Sequence, residues 1–454
     1  MLPRIITKLV GWAVSVFYDL ERTGPTLPDG PVLVAANHPN SLMDPLVIFR
    51  TAGRATRPLA KAPLFEQALV GTVLRGLGGL PVYRRQDDPA LMHLNDRTFD
   101  AAIGALEAGG AVQIYPEGRS HSDPRLSPLR TGAARIALMA EARSDWSLGV
   151  RIQPVGLTYT RKSVFRGRAL AAFGAPIDVS DFREQHEADE REAARELTAL
   201  IQAKLEELTL NFDRREDREL VDVAERLYTR AKKLARPRER EPMAERLPRL
   251  HRFAEGVRWL RATDPDRAEA LSAEVRRYMR LLTIFGAREG DVPARYRPGP
   301  VLLYSVRQLL LLTLVLPVAV LGFALWFVPL RLSQTVVPRF SPKLDQVATY
   351  KLATALVGFP VWLFLLVAGT WLGLGSRPAL VVLFAVPLTG IATIAWRDRQ
   401  AAVREDLRVF RRARRLSRGR DRLSELRRHL VDEFDAVAEE WRAAARESPA
   451  LGGS

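Results

Sequence analysis

The pattern of apolar and polar positions divides the chain in two. In the second half, three runs carry no charged residue: Gln308–Leu330 (23 residues), Leu352–Ser376 (25) and Pro378–Trp396 (19). About 20 apolar residues are enough for a helix to cross a bilayer, so these runs predict a transmembrane region over 301–396. Arg377 alone separates the second run from the third, which predicts a tight hairpin. Pro317 and Pro329 lie in the first run. That run is therefore expected to dip in and return, leaving two true crossings.

The first half reads differently. Val32–Ala36 is a short apolar run behind a Pro-Asp-Gly-Pro turn, and Ala111–Tyr115 is another. A third strand unit lies within Gly78–Arg85, and a fourth is Val150–Thr160, expected to be broken by Pro154 and Gly156. Helical spacing appears between them, at Phe99, Ile103 and Leu106, and again over 132–142. This alternation predicts an α/β domain over 21–180. Within 181–300, Leu197, Leu200, Ile201 and Leu205 recur at three and four, as do Leu271, Val275, Tyr278 and Leu282. These are amphipathic helices, expected to pack on the α/β domain or the membrane. Residues 1–20 place Arg4 and Lys8 ahead of an apolar run too short to span. They are expected to form a membrane-interfacial helix, a core helix being the alternative.

Composition hides this asymmetry. The 454 residues are 47% hydrophobic with a net charge of +16, which by itself reads as an ordinary basic soluble protein. Residues 397–428 alone hold 13 Arg against 5 acids, a difference of +8 and half of the total. A basic stretch directly after an apolar run suits anionic lipid better than nucleic acid. Residues 397–454 are accordingly an Arg-rich helical tail, expected on the cytoplasmic side. There is no cysteine, which excludes disulfides, thiolate catalysis and cysteine-ligated zinc. His93, His121, His186, His251 and His429 show no ligand spacing, so no metal is expected, and His121 is expected at the surface.

Two strand exits carry candidate chemistry. After Val32–Ala36 comes Asn-His-Pro-Asn-Ser-Leu-Met-Asp, with His38 and Asp44 six positions apart. A carboxylate on one imidazole nitrogen fixes the tautomer and leaves the other free to take a proton. After Ala111–Tyr115 comes Pro-Glu-Gly-Arg-Ser, with Glu117, Gly118 and Arg119. Gly118 permits a tight turn and Arg119 offers a bidentate fork for phosphate. Arg84 ends a short strand and Lys61 lies in Ala-Lys-Ala-Pro-Leu-Phe. Several cations meeting on one anion would make a site for a phosphorylated alcohol.

Four blocks in this order, NHPNSLMD, GGLPVYRR, YPEGRS and IQPVGLTY, resemble the glycerol-3-phosphate and 1-acylglycerol-3-phosphate acyltransferase superfamily, over about residues 28–180. The likeness continues through Phe165–Arg168, an AFGAPI stretch and residues 345–360. It implies an α/β acyltransferase domain with a mixed sheet flanked by helices. It implies transfer of a fatty-acyl group from acyl-CoA or acyl-carrier protein, as co-substrate rather than bound cofactor, to a hydroxyl of glycerol-3-phosphate or lysophosphatidate. His38 would be the general base and Asp44 its orienting partner. Arg84, Glu117, Gly118 and Arg119 would bind the acceptor, and Pro154 would lie near the acyl pocket; Lys61, one of the converging cations, is a further candidate for binding the acceptor. The protein would be integral to the cell membrane, its acyltransferase domain facing the cytoplasm. Most of the superfamily places four residues between His and Asp, whereas Pro39–Met43 makes five here, so the loop must bulge. The third block lacks the usual Thr before Arg119. Acylation of another lysophospholipid, an amino-acid-linked lipid or a glycolipid stays open, as does a transporter or scramblase fused to the enzyme.

Overall fold

The computed structural model describes residues 2–83, 95–212, 214–231, 241–284, 298–340, 344–415 and 420–447. Two compact units are present: Met1–Asp213 with Pro242–Glu245 and Val336–Leu356, and the remainder of the chain.

The first unit is built on eight strands: β1 (Tyr18–Thr23), β2 (Val32–Ala36), β3 (Thr56–Lys61), β4 (Leu80–Val82), β5 (Ala111–Ile114), β6 (Arg151–Tyr159), β7 (Gly167–Phe173) and β8 (Ile177–Asp178). Their order is β1-β7-β6-β2-β5-β3-β4, with β8 on β6. Strands β6, β2, β5, β3 and β4 form a parallel block, while β7 and β8 pair antiparallel to β6 and β1 follows β7. The sheet is therefore mixed. β2 is buried along its whole length because both faces are covered. Val32, Val34 and Ala36 face one hydrophobic cluster with α1 (Leu2–Phe17) and α2 (Met43–Thr51). Leu33 and Ala35 face another with α5 (Asn95–Glu107), α6 (Gly132–Arg143) and α8 (Glu190–Leu208), while α3 (Pro63–Glu66), α4 (Ala68–Gly76) and α7 (Arg183–Ala188) are shorter helices of the same unit.

β6 is continuous, contrary to the break expected at Pro154 and Gly156. It changes partner at that point, pairing with β8 at 151–152 and with β7 at 155–159. The Pro154 carbonyl accepts from Gly174 N at 2.9 Å, so its missing N–H falls in the gap between two partners. One face of α1 belongs to the core through Val10, Val14 and Phe17, while Leu9 and Trp12 are exposed.

In the second unit, α9 (Arg215–Ala231), α10 (Met243–Thr263) and α11 (Pro265–Ile284) close a hydrophobic cluster with α15 (Arg420–Glu447). Of the amphipathic helices, then, α8 packs on the sheet, whereas α9 to α11 share their own core with the tail. The uncharged runs lie in α12 (Pro298–Arg339), α13 (Val347–Leu374) and α14 (Ser376–Arg415), three helices long and apolar enough to cross a membrane. The first run, expected to dip in and return at Pro317 and Pro329, lies within one helix. Pro329 cannot donate to the Leu325 carbonyl four residues back, and Trp362 Nε1 donates to that carbonyl instead, at 2.6 Å. A freed backbone acceptor satisfied this way lets the helix run through proline.

Candidate active site

The parallel strands deliver their exits to one edge of the sheet, the usual place for ligands in such folds. β2 ends at Ala36, so Asn37 and His38 emerge there, and β5 ends two residues before Pro116 and Glu117. Asn37 is locked to the neighbouring strand by two bonds, Leu157 N to its Oδ1 at 2.7 Å and its Nδ2 to Leu157 O at 3.1 Å.

The five residues between His38 and Asp44 form the required bulge. Ser41 adopts φ 49°, and Met43 N and Asp44 N donate to the carbonyls of Asn40 and Ser41. Asp44 then falls in the first turn of α2, where the helix dipole favours a carboxylate. His38 Nδ1 meets Asp44 Oδ2 at 2.8 Å. The Asp44 side chain is fully buried, yet every contact is a donor: Asn40 N at 2.7 Å on Oδ2 and Tyr159 Oη at 2.7 Å on Oδ1. The His38 side chain keeps 20% of its surface, and among the described residues nothing bonds its Nε2. Tyr115 stacks on the imidazole with centroids 4.1 Å apart. Burial first, and the Asp44 charge second, hold the Tyr115 and Tyr159 hydroxyls well above their ordinary pKa, so both remain neutral donors.

A second carboxylate ties the two exit loops together. Glu117 Oε1 accepts from His38 N at 2.7 Å. Its Oε2 accepts from Ser127 N at 2.8 Å and pairs with His121 Nε2. That hydrogen bond raises the His121 pKa, against an opposing effect of burial. His121 is 12% exposed and its N–H donates to the His38 carbonyl at 3.1 Å, which corrects its expected surface placement. The imidazole is drawn inward because Glu117 is nearly fully buried and needs compensating donors. Gly118 sits at φ +70°, and a Cβ there would lie 2.9 Å from Arg130 Nε. Lys162 Nζ completes the brace, donating to Pro39 O at 2.9 Å and Ser122 Oγ at 2.7 Å.

The remaining cations are less gathered. Arg119 is 59% exposed and faces Asp123 at 3.6 Å. Lys61 is half-buried at the end of β3, two strands from β2. Arg84 lies outside the described residues. Among the described residues no cluster of His and carboxylates could hold a metal. Tyr159, Tyr115 and Lys162 were not singled out in the sequence. Only the position of the two tyrosines at strand ends, on the edge that carries His38, could have marked them.

Residues 19–158 match the Acyltransferase family model. This stretch belongs to the glycerol-3-phosphate and lysophosphatidate acyltransferase superfamily. Glycerol-3-phosphate O-acyltransferase 2 of Saccharomyces cerevisiae is 35% identical over 30% of this chain and 18% of its own. Glycerol-3-phosphate O-acyltransferase 1 of the same yeast is 25% identical over 63% of this chain and 36% of its own. The 1-acyl-sn-glycerol-3-phosphate acyltransferase of Streptococcus pneumoniae is 26% identical over 40% of this chain and 64% of its own. The matched stretch thus spans less than two thirds of each relative. Within the acyltransferase match fall both exit loops and all the residues around Asp44 except Tyr159, which is the next position along β6.

Proposed function

We propose that this chain is a membrane-bound O-acyltransferase. It moves a fatty-acyl group from an acyl thioester, acyl-CoA or acyl-carrier protein, to a hydroxyl of glycerol-3-phosphate or lysophosphatidate. The observation that carries this reading is the His38–Asp44 pair: a buried carboxylate held by three donors, and an imidazole whose other nitrogen is open. The acceptor hydroxyl attacks the thioester carbonyl as His38 Nε2 takes its proton. A tetrahedral oxyanion forms, and its collapse breaks the C–S bond. The leaving thiolate takes the proton back from His38. Asp44 stabilises the imidazolium between these steps and fixes its tautomer.

Glu117 acts in this reading by positioning, since its oxygens are already filled by His38 N, Ser127 N and His121. Lys61, Arg84 and Arg119 contact the acceptor phosphate, and Arg130, packed against Gly118, joins them. The apolar helices hold the protein in the cell membrane, with the acyltransferase domain facing the cytoplasm, where the thioesters are made. An assay of the detergent-purified protein tests the reading. Acyl-CoA and acyl-carrier-protein donors are offered with glycerol-3-phosphate, lysophosphatidate and unphosphorylated acceptors. Transfer to a phosphorylated acceptor, lost in His38→Ala, is the expected result. Equal turnover by His38→Ala overturns the mechanism, and turnover only on unphosphorylated acceptors overturns the phosphate contacts.

A further inference from the structure

The Acyltransferase match ends at residue 158, before two segments that close around the loop between His38 and Asp44. One is the β6–β7 loop, residues 160–166. The other is the start of α13, residues 347–356, which belongs to the same compact unit as the sheet. The β6–β7 loop is tightly wound. Val164 N donates to Arg161 O and Gly167 N to Val164 O, while Arg166, at φ 60°, donates its N–H to Phe17 O at 2.7 Å. Lys162, in this loop, holds the two residues that follow His38. Its Nζ donates to Pro39 O at 2.9 Å. Its carbonyl accepts from Tyr18 Oη, which in turn accepts from Asn40 Nδ2 at 2.8 Å. Asn40 is fully buried, and its N–H donates to Asp44 Oδ2, the oxygen that meets His38.

The start of α13 reaches the same loop by two routes. The first is apolar. Ala348 and Leu352 are buried in the cluster that holds Met43 and Leu46, and Thr349, Leu352 and Ala353 line an apolar groove with Leu42 and Met43. Leu42 and Met43 lie inside the five-residue bulge itself. The second route is polar. Lys351 is half-buried, and its Nζ donates to Ser163 O at 2.7 Å, one residue beyond Lys162. An ammonium on a carbonyl is a charge-assisted bond, stronger than one between neutral groups. It fixes the β6–β7 loop at the point from which Lys162 reaches Pro39.

We infer that Lys351 is a positioning residue for acyl transfer. It holds the β6–β7 loop in the conformation in which Lys162 clamps the bulge between His38 and Asp44. The start of α13 is then part of the working site, although it lies far along the chain from the acyltransferase match. The inference rests on the reading of His38 and Asp44 as the proton-transfer pair. Its physical basis is the tolerance of the chemistry: a small misplacement of a proton acceptor, caused far from the reacting atoms, lowers the rate more than it lowers binding. The competing role for Lys351 is an anchor that secures α13 and nothing else. An anchor couples to stability, whereas a positioning residue couples to Lys162 and to kcat.

The test uses the full chain in nonionic detergent, where no lipid headgroup competes for the ammonium. Lys351→Met, Lys351→Arg, Lys162→Met and the double variant Lys351→Met/Lys162→Met are compared by steady-state acyl transfer and by melting temperature. Methionine removes the charge and keeps most of the side chain's length, and arginine restores a charged donor. For Lys351→Met the expected result is a kcat lower by about ten-fold, with KM for donor and acceptor and the melting temperature little changed. Lys351→Arg recovers most of the rate. The double variant is no slower than Lys162→Met alone, because Lys351 acts through Lys162. Native kcat in Lys351→Met overturns the inference, and so do losses that multiply in the double variant. A slower Lys351→Met that also melts lower and is not rescued by arginine assigns Lys351 to anchoring α13 and overturns it as well. Native turnover by His38→Ala in the same assay instead removes the proton-transfer reading on which the inference stands.

Discussion

The hydroxyl of Tyr159 donates to Asp44 Oδ1 at 2.7 Å, from a strand end 115 positions away in the chain. It fills the carboxylate oxygen that His38 leaves open, and so fixes the plane in which the imidazole is held. Tyr159→Phe keeps the ring packing and removes one hydrogen bond to a buried charge, an interaction worth about 1.5–3 kcal/mol. The expected outcome is a kcat lower by roughly ten- to a hundred-fold with KM for the acceptor little changed. Steady-state kinetics of the purified variant check this. A changed KM at constant kcat would assign Tyr159 to acceptor binding instead.

Asp44→Asn should be more severe. The amide can still bond an imidazole nitrogen, but it supplies no charge to stabilise the imidazolium and favours the wrong tautomer. A kcat loss on the order of 10²–10⁴-fold is expected, similar to that of His38→Ala, and the double variant should be no worse than either single one. Additive losses in a double-mutant cycle would show that the two side chains do not act as a unit.

His121 gives the stability of the site a pH dependence. Its pKa in the folded chain is raised by the Glu117 hydrogen bond, so the folded state binds the proton more tightly than the unfolded one. The stabilisation is fully present below the unfolded value, near 6.5, and is lost as pH rises through the raised folded value. Melting temperatures of the native chain and His121→Asn should therefore differ most near pH 6 and converge at alkaline pH. A gap that widens above pH 8 would contradict the assigned charge state.

Gly118→Ala meets two obstacles. An L-residue at φ +70° costs about 1–2 kcal/mol, and the new methyl lies 2.9 Å from Arg130 Nε. A lower melting temperature is expected, with partial recovery when Arg130→Ala is added, because only the steric part is relieved. Full recovery in the double variant would place the whole effect in the side-chain clash.

The legible parts of this protein were those written in short stretches. β2 and β5 were visible because an unbroken apolar run of four or five residues, closed by polar exits, has few other ways to be buried on both faces. His38 and Asp44 stand six positions apart, so one bulged loop can join them. The Glu117-Gly118-Arg119 turn follows its strand directly. Less legible were β1, β3 and β7, whose apolar residues are mixed with Arg and Glu. Arg168 and Glu21, for instance, are paired across β7 and β1, so charges that read as solvent-facing are part of the sheet edge. The inward turn of His121 was equally hidden, because it depends on a buried carboxylate that local sequence cannot reveal.

The sequence by itself determined the α/β pattern, the apolar helices and the residues able to carry proton transfer, since each follows from periodicity or from chemistry within a few residues. Only the tertiary structure decided that Tyr159 and Lys162 brace the His38 loop, that Glu117 spends its charge on backbone N–H groups, and that α15 shares a core with α9 and α11. Most of these contacts join positions about 80 to 200 residues apart, and such contacts are settled by which buried polar and apolar groups find partners when the whole chain closes.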